Sequence, residues 1–373
     1  MSKRLSRCVI LVLTSVWLAA VFLGCESRDR LSESDREKLN EIRSRRAMQS
    51  RANLEQQTDL EKQPDQKPAQ QESNHQESDA STDENADSNS AQRIKIELGQ
   101  RRTLGRFDSP VINESSGLAA SLRFPGHYWT HNDNGKVGGL FLVDKSGKLK
   151  AHVQIADAPF RDWEAIDVCR IDGQSYLTLA DVGDNALQYE TCRLHVFREP
   201  ELDLSEVSDE PVRHKVEQKA TIEFSYPDGP QDCEAMAVDD DSRTIVLVSK
   251  RRTATERLML HTVPWRLEST SKPTVATRLE TDINHSMVTG MDISPDGRLA
   301  VLRSYTSMWI YQRDADQGWQ QAFATPPAGT LLPLQRQGEA VCFSEDGNSV
   351  LLSSEGVGSA IWQIDLELSK VDR

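Results

Sequence analysis

The sequence is short of basic side chains, of cysteine and of the familiar catalytic signatures. Lys and Arg number 44 against 58 Asp and Glu in 373 residues, and the formal charge of −14 leaves no concentrated positive face for a phosphate backbone. Nucleic acid is therefore excluded as a partner. Six cysteines are present, and none stands at the close spacing of a metal-binding pair. Cys8 lies in the leader and Cys25 closes it, which leaves Cys169, Cys192, Cys233 and Cys342 as buried free thiols. In the strand reading below, Cys169 ends one inner strand and Cys192 begins a strand two places away, a poor geometry for a bridge. No Gly-x-Ser-x-Gly elbow occurs, which removes the common support for an ester hydrolase.

Long apolar runs are equally scarce. The one at the N-terminus, Val9 to Leu23, follows Lys3, Arg4 and Arg7 and reads as a secretory signal. It closes on Phe22-Leu23-Gly24-Cys25, which resembles the bacterial lipoprotein box, with Phe22 in place of the usual Leu. This resemblance implies a signal over 1–24, lipidation at Cys25, and a chain anchored in the cell envelope facing the periplasm or exterior. An uncleaved anchor would put the same segment across the bilayer, near the lower limit of length. Residues 25–95 form a tether. Its first half is charged, with Leu39, Ile42, Met48 and Leu54 too sparse for an apolar stripe, and reads as a solvated, transient helix. From Gln63 to Gln92 large apolar side chains nearly vanish, so that stretch cannot offset its ordering entropy and reads as a flexible spacer.

Residues 96–373 change to short β-branched runs separated by turn residues, the pattern of an all-β domain. Ser294-Pro295-Asp296-Gly297 and Ser344-Glu345-Asp346-Gly347 mark hairpin turns, as does Asp144-Lys145-Ser146-Gly147. A repeat emerges on stacking Ser116-Gly117-Leu118, Glu164-Ala165-Ile166, Glu234-Ala235-Met236, Thr289-Gly290-Met291 and Glu339-Ala340-Val341. Each is an oxygen-bearing residue, a small one and an apolar one, at separations of 48, 70, 55 and 50 residues. A period near 50 is that of propeller blades, and the long interval holds a polar insertion around Glu201 to Val216. The fold expected is a five-bladed β-propeller, with six blades as the alternative. Lys95 to Phe107 would complete the last sheet and close the ring, leaving a monomeric domain without free edges. Small residues belong where innermost strands crowd the axis.

Because innermost strands all begin on one face, Ser116, Glu164, Glu234, Thr289 and Glu339 should converge at the channel mouth. Three carboxylates within about 5 Å would repel pairwise by roughly 3 kcal/mol at an effective dielectric of 20. Raised pKa values, nearby bases or a bound cation must answer that repulsion, and an oxygen-only set favours calcium over zinc. The alternative is a wet channel whose polar residues cap strands. Sixteen residues past each small residue a second layer appears: Asp133, Asp181, Lys250-Arg251 and Glu355-Gly356, with Arg303 three positions early in blade four. Acids on one side and bases on the other suit a polar phosphate or carboxylate ligand. In a metal-dependent phosphohydrolase, Lys250 and Arg303 would stabilise developing charge and Asp133 or Asp181 would position the attacking water. For Asn134-Gly135 and Gly183-Asp184 plain turn chemistry competes with that role, and His131 and His285 read as solvent-exposed loop residues.

The succession Ser116, Glu164, Glu234, Thr289, Glu339 resembles the calcium-activated nucleotidase (apyrase) family, whose five blades carry Ser, Glu, Glu, Ser and Glu around one calcium. The resemblance implies calcium held by those five side chains, and a nucleotide-hydrolysing activity. The family's longer nucleotide-site motifs are not found here. Trp129-Thr130-His131-Asn132-Asp133, Asp162-Trp163-Glu164 and Gly183-Asp184-Asn185 are similar to secreted bacterial propeller proteins of no assigned activity, which implies the fold and no reaction.

Overall fold

The computed structural model describes residues 94–133, 138–156, 161–205, 210–251 and 258–370. The signal, Cys25, the tether up to Arg93 and the Asn134-Gly135 turn lie outside them. No helix among the described residues is long and apolar enough to cross a membrane.

Hydrophobic alternation in short β-branched runs, broken by turn residues, gives five sheets, each with four antiparallel strands, arranged as a five-bladed propeller. Blade one is built from Ser115–Ala120, His127–Asn132, Leu140–Asp144 and Leu149–Ile155, innermost strand first. Blade two uses Trp163–Ile171, Gln174–Asp181, Cys192–Arg198 and Gln218–Ser225, and blade three Cys233–Asp239, Thr244–Ser249, Leu260–Pro264 and Thr277–Leu279. Blade four runs Val288–Ile293, Leu299–Ser304, Ser307–Gln312 and Ala328–Leu331. Blade five takes Gly338–Phe343, Ser349–Ser354 and Ala360–Lys370 from the C-terminus and its outermost strand, Ile94–Arg106, from the start of the domain. The sixth-blade alternative finds no sheet among the described residues. Each innermost strand packs on that of the next blade, and the fifth returns to the first.

The core is divided by this geometry into one apolar slab per seam. Trp129, Leu142 and Val153 meet Trp163, Ile166 and Leu179 between blades one and two, while Phe107, Tyr128 and Phe141 meet Cys342, Leu351 and Ile361 between blades one and five. Both faces of every sheet are thus covered, which explains why the inner strands read as nearly continuous apolar runs. Crowding at the axis also accounts for the small residue in each repeat. A Cβ on Gly117 would lie 2.5 Å from His131 Nε2, and one on Gly290 would lie 2.4 Å from the Glu339 carbonyl oxygen.

The hairpin turns follow the expected chemistry. Gly297 and Gly347 adopt φ of 68° and 69°, and each closes its turn by donating to the carbonyl of Ser294 or Ser344 at 2.8 Å. The polar insertion is more than a loop, because Val212–Val216 pairs in parallel with Leu149–Ile155 and adds a fifth strand to blade one. The four described cysteines are buried and unpaired.

Candidate functional site

One irregularity repeats in all five blades and aims the ring of polar residues. Pairing of each innermost strand with its neighbour slips by one residue between Ser115 and Gly117, Trp163 and Ala165, Cys233 and Ala235, and Val288 and Gly290. In blade five the slip falls between Gly338 and Val341. The extra residue is Ser116, Glu164, Glu234 or Thr289, and in blade five it falls at Glu339-Ala340. A bulge leaves that residue outside the ladder and turns its side chain, so a run that reads as plain strand presents an oxygen at the start of every innermost strand. All five side chains are buried.

Their partners differ. Ser116 Oγ donates to the carbonyl and Oε2 of Glu164 at 3.2 and 3.3 Å, joining blades one and two. Thr289 Oγ1 donates to the Gly338 carbonyl at 3.1 Å, joining blades four and five. The glutamates share one field. Burial, then Glu234, Asp162, Glu339 and Asp133, pushes the Glu164 carboxyl well above the carboxylate range. Burial raises Glu234 to about 8, opposed by the Lys250 ammonium in contact with it and helped by Glu339 and Asp232. For Lys250 itself burial disfavours charge, but Glu234 outweighs it and lifts the pKa above the ordinary value. Glu234 Oε2 and Glu339 Oε2 are buried with no hydrogen-bond partner.

From Lys250 a polar chain crosses the mouth. Its ammonium lies 5.3 Å from the centre of the Tyr305 ring, and the Tyr305 hydroxyl donates to Glu339 Oε1 at 3.4 Å. Gln337 Nε2 donates to Glu339 Oε1 at 3.0 Å and to Glu355 Oε1 at 2.7 Å. Burial, then Glu339 and Asp133, raises the Glu355 carboxyl to about 9. One carboxylate oxygen from each of Asp133, Glu339 and Glu355 lies within 4.8 Å of the other two.

Of the four side chains read as reactive, the structure brings Asp133 and Lys250 to this mouth and sends the other two elsewhere. Arg303 is fully buried, and its guanidinium donates to the carbonyls of Ala340 and Ser353 at 2.8 and 3.0 Å, to that of Ser304 at 3.3 Å and to Gln335 Oε1 at 2.9 Å. That side chain is a strut between blades four and five. Asp181 is also fully buried, with Oδ1 accepting from the Asp162 amide at 2.9 Å and lying 3.6 Å from Arg161 Nε. It orders the turn into blade two. The reading of the two histidines as solvent-exposed loop residues is corrected for His131, while His285 does lie in a loop but is half-buried. His131 sits fully buried on a strand, where burial lowers its pKa to about 4. His285 stacks on Trp309 at 3.7 Å and meets the Tyr311 hydroxyl at 2.7 Å.

Asp232, Tyr305 and Gln337 at this mouth stand outside the two repeat positions that the sequence pattern marks, Asp162 enters it only within the Asp162-Trp163-Glu164 motif, and Glu355 only as a rim position. A signal for three of them was present. Two residues before each ring residue stand Glu114, Asp162, Asp232, Met287 and Gln337, polar in every blade but the fourth. Gly183 is packed against this layer: a Cβ there would lie 2.4 Å from Asp162 Oδ2 and 2.6 Å from Glu164 Oε1.

No family model matches the chain, and no curated protein matches it. Among solved structures, the glutaminyl cyclase of Myxococcus xanthus is similar over 75% of this chain and 100% of its own, at 9% identity and a TM-score of 0.41. A likeness that distant carries no argument about this chain.

Proposed function

We propose that the domain is a binding module of the cell envelope whose acidic mouth holds a calcium-type cation and, through it, a polar ligand. The observation that carries this reading is the pair of buried oxygens, Glu234 Oε2 and Glu339 Oε2, that lack a hydrogen-bond partner inside a field shared by three glutamates. Buried anionic oxygens are costly unless a proton or a cation answers them. Oxygen ligands without sulfur or imidazole suit a hard ion. The ring Ser116, Glu164, Glu234, Thr289 and Glu339, with its resemblance to calcium-activated nucleotidases, supports the same ion. The lipoprotein box at Cys25 supports anchoring, and a Cys25→Ser chain would then move from the membrane fraction to the soluble one.

The test is a melting curve of the full chain titrated with calcium, against chelator. Saturation at a hundredfold excess over Kd contributes about 2.7 kcal/mol, which in a domain of this size raises Tm by roughly 5–10 °C. A curve unmoved by calcium removes the cation reading.

A second reading, a calcium-dependent phosphohydrolase, has one observation in its favour: Lys250 stands beside Glu234 at the mouth, where a cation-bound phosphoryl group would find a positive charge. Phosphate release from nucleoside diphosphates that is abolished by both Glu234→Gln and Lys250→Ala would establish it. Binding is favoured because Arg303 and Asp181, the other two side chains that reaction would recruit, are committed to the scaffold.

A further inference from the structure

The expectation of a cation on the propeller axis treats the five ring residues as equals, and the geometry separates them. Ser116 and Glu164 are turned to each other, Thr289 to a carbonyl, and Glu234 to the Lys250 ammonium, so four of the five already have a partner inside the protein. Glu234 and Glu339 each keep a buried Oε2 without a hydrogen-bond partner, but Glu234 contacts a cation whereas Glu339 accepts hydrogen bonds from neutral donors. Gln337 and Tyr305 both donate to its Oε1 and leave Oε2 without a hydrogen-bond partner in a residue only 3% exposed.

Two more acids meet Glu339 from loops at the seam where the ring closes. Asp133 follows the second strand of blade one, and its amide donates to the Glu114 carbonyl at 3.1 Å. Glu355 follows the second strand of blade five, and its amide donates to the Gln337 carbonyl at 2.9 Å. The next amide, Gly356, crosses the seam to the Asn113 carbonyl at 2.7 Å. Calcium takes oxygens at about 2.3–2.6 Å, so two ligands on opposite sides of one ion stand at most about 5 Å apart. Asp133, Glu339 and Glu355 place their oxygens within 4.8 Å of one another, inside that limit. The Gln337 amide, bonded to both glutamates, holds them at this spacing.

We propose that one divalent cation of calcium size binds off the axis, at the seam of blades five and one, ligated by Asp133, Glu339 and Glu355 and completed by water. This rests on the cation reading above and changes its address. The ion joins the first blade to the last, so it staples the closure of the ring, and the Glu234–Lys250 side of the mouth stays open to the ligand.

Calcium titration of the full chain separates the two addresses, read both by calorimetric binding and by the shift in Tm. Asp133→Asn and Glu355→Gln, each nearly isosteric, should weaken calcium binding at least tenfold and remove the Tm shift, while Ser116→Ala and Glu164→Gln stay within about twofold of the parent. Circular dichroism of each variant confirms the fold, and any contribution from the acidic tether is common to all of them. Equal losses in Glu164→Gln and none in Asp133→Asn would overturn the seam site in favour of the axis. A parent chain that binds no calcium would overturn the broader cation reading as well.

Discussion

Glu339 and Arg303, on adjoining blades, show how differently two buried polar groups can be employed. Glu339 keeps an oxygen without a donor, whereas the Arg303 guanidinium is spent on the carbonyls of Ser304, Ala340 and Ser353 and on Gln335. Replacing Arg303 with Met removes those donors and leaves buried carbonyls unpaired, at a cost on the order of 3 kcal/mol. Urea denaturation should therefore give a markedly lower midpoint. A change within about 0.5 kcal/mol, the size expected of a surface site, would return Arg303 to the mouth. Asp133 and Lys250 were legible from a near-constant offset along the repeat, sixteen and fifteen residues past its small residue, because residues at equal depth in successive blades reach the same face; at Asp181 the same count falls one residue short of that depth. Arg303 sits at a different depth in its blade, opposite Gly290 in the ladder, and only packing could direct its side chain into the seam.

At the scale of elements, the strand Ile94–Arg106 does the most for the least sequence signal. It pairs along its length with Ala360–Lys370, bulging at two places, and brings Ile96 and Leu98 against the slab between blades four and five. Deleting residues 94–106 uncovers a long strand edge, the template for edge-to-edge association. The expected outcome is loss of a single cooperative unfolding transition, with aggregation visible by light scattering. An unchanged transition would mean that closure is dispensable. The N-terminal strand was anticipated because a ring leaves no other place for it. The parallel strand Val212–Val216 was not, since its five residues carry no apolar alternation and its pairing with blade one joins residues some sixty positions apart in sequence.

For the whole molecule, the balance of buried acids governs response to pH. At the mouth opposite the ring, a cavity of about 560 Å³ is lined by Asp167, Asp240 and Asp292 among others. Asp167 accepts from the Val238 amide and Asp292 from the Phe343 amide, both at 2.6 Å, so each ties its blade to the next. Burial raises Asp292 to about 7, and the same cause with like-charged neighbours raises Glu234 to about 8 and Glu355 to about 9. Groups with raised folded pKa stabilise fully below their unfolded values and lose that contribution as pH rises through the folded ones. The buried histidines His131 and His195, lowered to about 4 by burial, act oppositely and only below about 6.5. In chelator, Tm should therefore fall steadily from pH 6.5 to 9, and calcium should shallow that fall by replacing protons at the mouth. A Tm that rises over the same interval contradicts the assignment. Period, strand alternation and turn chemistry are local properties, and from them the sequence alone pointed to an all-β ring of five blades, six being the alternative, with oxygens at one mouth. Which oxygens meet at a common point, and which are tied to a neighbouring blade, was decided only in the tertiary structure. That outcome depends on a one-residue bulge per blade and on contacts across seams, between residues far apart in the chain.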